Sequence, residues 1–171
     1  MTAIALYGAL VMAGTAVLQS TLLRFIEIGG VGPDLVLIVL IFIGNRNGVM
    51  PAQVAGFVAG AVLDTLGLAP LGFYALVYTV VGALFGITRG KMFVDPIFIP
   101  VVLAVVAMLI KALLALLIGA LFSIRGISGE VFASTYLIEI VYTGLLAPML
   151  FGALGMASWL QADRRRGGAA S

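Results

Sequence analysis

Neither cysteine nor histidine occurs anywhere in the 171 residues. Their absence removes disulfides, thiolate nucleophiles, imidazole general bases and the usual zinc and haem ligands. With no cysteine, the redox compartment cannot be read from the sequence. Charge is nearly as scarce: 9% of residues are charged and 63% hydrophobic, against roughly 25% charged in an average soluble domain. A small soluble protein has too much surface to cover with so few charges. The apolar exterior is therefore expected to meet lipid.

No P-loop sequence, no Ser-His or Cys-His pairing and no paired acidic motif for divalent metals is present. Hydrolytic and phosphoryl-transfer chemistry thus lack their groups. The chain is not expected to be an enzyme, to hold a cofactor or metal, or to bind nucleic acid. The N-terminus, Met1-Thr2-Ala3-Ile4-Ala5-Leu6, also lacks Lys or Arg before its apolar stretch, which is long enough to span. It reads as a permanent anchor, not as a cleaved signal.

What is present is apolar length. A helix needs about 20 mostly apolar residues to cross the hydrocarbon core, and that ruler gives segments near 3–23, 33–45, 50–67, 70–88, 96–122 and 134–160. The second is short for a span and could borrow length from Pro33 and Asp34, with Asp34 as a cap or first-turn acid. The fifth and sixth are long, with a tilt or a kink expected, in the sixth at Pro148. Gly67 to Gly72 is a tight break around Pro70, and Asp95-Pro96 puts a proline in the first turn of the fifth segment. The expected fold is all-α: a polytopic membrane protein built as a compact bundle of six transmembrane helices. Residues 1–162 form one domain, and 163–171, with Arg164, Arg165 and Arg166, a basic disordered tail.

Positive residues set the orientation. With six crossings, Arg46, Arg89, Lys91 and the three tail arginines share one side, against Arg24 and Arg125 on the other. That asymmetry places both termini in the cytoplasm. Trp159, just before the arginines, reads as an interfacial anchor.

Asp64, Lys111 and Glu139 lie inside apolar runs, where Lys or Asp costs roughly 2.5–3.5 kcal/mol at a helix centre on insertion scales. Lys111 is deepest, roughly 16 Å below the outer end of its helix. It could reach outward to Asp64 or Glu139. The set either lines a polar cavity or docking site, or forms an internal ion pair that fixes packing; Asp64 has the further reading of an interfacial cap. Tyr74 and Tyr78, one turn apart, could meet Asp64 or anchor at the interface. Gly56 with Gly60, Gly82 with Gly86, and Ala115 with Gly119 have the spacing of close helix contacts. That spacing serves a partner interface or, as the plainer reading, packing within the bundle.

Several stretches are familiar in their order: Leu18-Gln19-Ser20-Thr21-Leu22-Leu23; Pro33-Asp34-Leu35-Val36-Leu37-Ile38 leading into Phe42-Ile43-Gly44-Asn45-Arg46-Asn47-Gly48; and Gly56 through Asp64 followed by Pro70-Leu71-Gly72-Phe73-Tyr74-Ala75-Leu76. Together they resemble the rod-shape-determining membrane protein MreD family. The resemblance covers residues 15–90, with the second half alike only in hydropathy and length. It rests on order, spacing and the polar insertions Gln19, Asp34, Asp64 and Tyr74.

The resemblance implies a non-enzymatic scaffold of the peptidoglycan elongation machinery (the elongasome) in the bacterial inner membrane. Its partners would be an MreC-like protein with one membrane helix and the cell-wall synthases, RodA and its penicillin-binding partner. Asp34, Asp64 and Tyr74 are the candidate docking residues. The family also resembles the six-helix substrate-binding subunits of energy-coupling-factor transporters. This supplies the alternative: a vitamin or small-solute binding subunit, its cavity lined by Asp64, Lys111 and Glu139 and its docking surface on Ala9, Ala13 and Ala16. Lys111 is not an established feature of the resemblance.

Overall fold

The computed structural model describes residues 2–22, 27, 30–67, 70–89, 98–121 and 129–156. Lys91, Arg24, Arg125, Asp95-Pro96, Trp159 and the arginine tail lie outside the described residues. The described chain holds six helices: α1 (Thr2–Leu22), α2 (Leu35–Asn47), α3 (Val49–Leu66), α4 (Phe73–Ile87), α5 (Phe98–Leu121) and α6 (Gly129–Met156). Their bounds follow the apolar segments, except that α6 begins five residues earlier than the hydropathy suggests and runs unbroken through Pro148. Val49–Leu66, Phe98–Leu121 and Thr135–Gly155 are long and apolar enough to cross a membrane, with mean hydropathy 1.5, 3.0 and 1.8; Ala5–Thr21, Leu35–Asn47 and Phe73–Ile87 are shorter apolar helices.

The short second helix organises the rest. At 13 residues it is about 20 Å long, well under the roughly 30 Å hydrocarbon core. It is apolar all round, as a helix enclosed by protein must be: Val36 through Asn45 are all buried. It touches each of the other five helices, while α3 packs chiefly against α4 and α1, and α5 against α6. The short length is thus no obstacle, because the surroundings of α2 are protein and not lipid.

Gly48 alone joins α2 to α3. Its φ of 93° and ψ of −173° lie in a region essentially restricted to glycine. Its N–H closes α2 on the Gly44 carbonyl at 2.9 Å. Arg46 forms part of the last turn of α2, its guanidinium 5.0 Å from the centroid of Phe42, and the Arg89 side chain packs against Gly48. Arg46 and Arg89 therefore share one end of the bundle.

The glycine pairs build the α3–α4 seam. A Cβ at Gly60 would strike the backbone of Tyr74 and Ala75, one at Gly56 the Tyr78 carbonyl, one at Gly82 the Ala52 carbonyl, and one at Gly86 the Val49 backbone. The partner numbers fall as the glycine numbers rise, which is an antiparallel pair with both backbones at close approach. Ala115 and Gly119 are buried on α5. Ala9 and Ala16 are buried as well, so that face of α1 is turned inward and not toward a partner.

Candidate functional site

The polar centre starts from how α2 begins. Non-helical backbone at membrane depth is tolerated only when buried in protein with its polar groups satisfied. Here the first donors of α2 are all accounted for. Asp34 N–H donates to Thr143 Oγ1 at 2.9 Å, Leu35 N–H to the Pro33 carbonyl at 3.2 Å, Val36 N–H to Gln19 Oε1 at 2.9 Å, and Leu37 N–H to Asp34 Oδ1 at 2.9 Å. Asp34 is thus an N-cap, the role its place after Pro33 suggests, and its negative charge sits at the positive end of the helix dipole.

The other carboxylate oxygen of Asp34 gathers the neighbours. Lys111 Nζ donates to Asp34 Oδ2 at 2.5 Å and to Glu139 Oε1 at 2.6 Å. Tyr78 Oη donates to Asp34 Oδ2 at 2.6 Å, and the ammonium stands 5.8 Å from the Tyr78 ring centroid. Asp34 is fully buried, with the Lys111 side chain 7% and the Glu139 side chain 15% exposed. One lysine therefore ties the start of α2 to the middle of α6. Because Lys111 lies near the middle of the 24-residue α5, α2 begins about halfway across the bundle.

Asp64 stands apart. Lys111 takes Asp34 and Glu139 as its partners, and Asp64 instead caps α4, accepting from the N–H groups of Gly72 at 2.9 Å, Tyr74 at 2.8 Å and Ala75 at 3.1 Å. A carboxylate at the N-terminus of a helix that has no side-chain cap of its own suits both the orphan donors and the dipole. Tyr74 stacks on Tyr78 with centroids 6.0 Å apart. Of the residues singled out in the sequence, Asp34, Tyr78, Lys111 and Glu139 come into direct contact, and Tyr74 flanks them. Thr143 is the member that sequence reasoning missed: a fully buried threonine inside an apolar run carries no signal until its partner is known.

Among the described residues no group of three His, Cys, Asp or Glu side chains could hold a metal ion. The carboxylates are instead engaged with an ammonium, a phenol and backbone N–H groups. Such a network fixes helices relative to one another.

Gln19 Nε2, the Tyr74 hydroxyl and the third N–H of Lys111 belong to residues that line a partly enclosed cavity of about 290 Å³. It lies between the end of α1, the approach to α2, the end of α3 and the start of α4, with Glu27, Pro33, Leu63 and Leu66 also in its wall.

No curated protein and no solved structure matches the chain. A family model does match, over residues 3–156, and so extends through the second half of the chain, where the sequence resemblance shows only hydropathy. With apolar helices able to cross a membrane and a match over nearly the whole length, the chain belongs to the family of the rod shape-determining protein MreD.

Proposed function

We propose that the chain is a non-enzymatic scaffold of the rod-shape-determining cell-wall elongation complex. It crosses the inner membrane six times with both termini in the cytoplasm, and it acts through helix–helix contacts with an MreC-like single-span protein and the synthases. Family membership supplies the role in rod shape. The observation that carries the scaffold reading is the internal use of the charges: Asp34, Asp64, Lys111 and Glu139 are all engaged by groups of this chain. The outward faces of the helices carry large apolar side chains, as with Leu6 and Leu10 on α1, Leu113 on α5, and Leu145 and Met149 on α6. Recognition then falls to shape and apolar packing between helices, which drive association in lipid. The burial of Asp34 and Asp64 moves the expected docking surface from those acids to these apolar faces. Neither the family match nor the comparisons lend support to the transporter-subunit alternative.

The test is purification of the tagged chain in mild detergent, with mass spectrometry of co-purifying proteins and of extracted small molecules. Recovery of an MreC-like protein together with cell-wall synthases is the expected result. Recovery of transporter ATPases in place of these partners would overturn it.

A further inference from the structure

The cavity beside Lys111 has chemistry that the scaffold role leaves unused. A lysine ammonium has three N–H donors, and two are taken by Asp34 and Glu139. Among the described residues the third has no acceptor, nor does the Tyr74 hydroxyl have a partner. Val36 N–H binds Gln19 Oε1, which fixes the amide orientation and leaves Gln19 Nε2 as a further donor without a partner among the described residues. All three residues line the same cavity, and Pro33, Leu63 and Leu66 give it an apolar wall. Its volume of about 290 Å³ falls just below the about 300–1,000 Å³ of drug-sized sites, which join apolar lining to a few convergent polar groups, and so suits a smaller ligand.

Charge selects among ligands. Asp34 and Glu139 outnumber Lys111, so the cluster behind the wall is net negative, and Glu27 at the exposed side adds a third carboxylate. An anion entering the cavity is repelled by that surplus. A cation meets the Lys111 ammonium, which is the charged member of the cluster that reaches the wall, beside Tyr78. A neutral acceptor meets three donors and neither repulsion. We propose that the cavity is a binding site for a small uncharged molecule bearing a hydrogen-bond acceptor of the amide-carbonyl type, with its hydrocarbon part against Leu63 and Leu66.

The test uses the full chain in lipid nanodiscs and ligand-observed saturation-transfer NMR with three probes of similar size: N-acetylglycinamide (neutral), N-acetylglycine (anion) and glycinamide (cation). Saturation transfer to the neutral diamide, exceeding that to either charged probe, is expected. Tyr74→Phe keeps the ring stack and the backbone bond to Asp64 and should weaken the neutral probe's binding about three- to tenfold, as expected for one lost hydrogen bond. Leu66→Trp, at a half-exposed wall position, should abolish it by filling the space. Circular dichroism confirms that each variant is folded, and either variant alone suffices as the control. No transfer to the neutral probe, transfer unchanged in the folded variants, or preference for the cation or the anion would each overturn the proposal.

Discussion

Lys111 Nζ lies 2.5 Å from Asp34 Oδ2 across 77 positions of sequence. Because Asp34 also caps α2 through Leu37 N–H, this single bond fixes where α2 starts relative to the middle of α5. The second bond of Lys111, to Glu139, brings α6 to the same point. Three helices are thereby held at one depth by a group that is expensive to bury and therefore tolerant of little displacement.

Breaking the cluster from its centre should cost more than breaking it at its edge. Lys111→Met leaves two carboxylates facing each other in a buried site, and removal of one partner from a buried ion pair costs about 3–5 kcal/mol. Glu139→Gln keeps an oxygen that can accept from Lys111 and removes the surplus negative charge, leaving one lysine with one aspartate. Its expected effect is under about 1 kcal/mol, the order of a single net hydrogen bond. Thermal unfolding of the two variants in the same detergent checks the ranking. Equal losses would show that the charge on Glu139 is needed by Lys111 and is not surplus.

Asp64 offers a prediction that separates capping from ion pairing. Asp64→Ala leaves the N–H groups of Gly72, Tyr74 and Ala75 without their acceptor, at a cost of about 0.5–2 kcal/mol for a lost N-terminal cap. The disturbance should be local. Hydrogen exchange should quicken at residues 72–76 in this variant and stay unchanged around Lys111, because Asp64 makes no bond to the cluster. Faster exchange near Lys111 would show that the cap and the cluster are coupled.

The helices were legible because their apolar lengths and the break around Pro70 are properties of contiguous sequence. Asp34 was legible as a cap for the same reason: Pro33 precedes it and an apolar run follows. The second partner of Lys111 was not. Depth along separate helices suggests Glu139, which Lys111 does take, and Asp64, which it does not; α2 starts deep inside the bundle, so Asp34, an acid that looks superficial in sequence, is at mid-depth in space. Thr143 was hidden for a similar reason, since its use depends on which backbone N–H the approach to α2 leaves unpaired. The glycine pairs gave close packing from their spacing, but only the antiparallel register of α3 and α4 shows that the packing is internal.

Gly48 should resist replacement even though it lies at the end of the bundle. Its φ of 93° with extended ψ costs a residue with a side chain about 1–3 kcal/mol. A Cβ there would also come within 3.2 Å of Arg89 Cδ, a contact that the flexible arginine can relieve. Gly48→Ala should therefore lower the unfolding temperature, and adding Arg89→Ala should recover little of the loss. Full recovery in the double variant would place the cost in the contact and not in the backbone.

The α3–α4 seam allows the sharpest comparison, because glycines with the same chemistry occupy opposite kinds of space. At Gly60 a new Cβ would run into the Tyr74 and Ala75 backbone, which has no rotamer to change, so the two helices must separate along the seam. At Gly14 on α1 and Gly152 on α6 a new Cβ meets nothing within 4 Å. Overpacking of this kind costs about 1–3 kcal/mol even when neighbours can adjust, and here the neighbour is main chain. Gly60→Ala should thus destabilise by at least that amount, and separation of the seam should also disturb the Asp64 cap, since its acceptors contact the same first turn of α4. Gly14→Ala and Gly152→Ala should leave the unfolding temperature of the isolated chain unchanged or slightly raised, because alanine is favoured over glycine in a helix interior by about 0.5–1 kcal/mol. If either of these two instead weakens co-purification with a membrane partner, the open glycine lies at the partner interface, which stability of the isolated chain alone would not reveal.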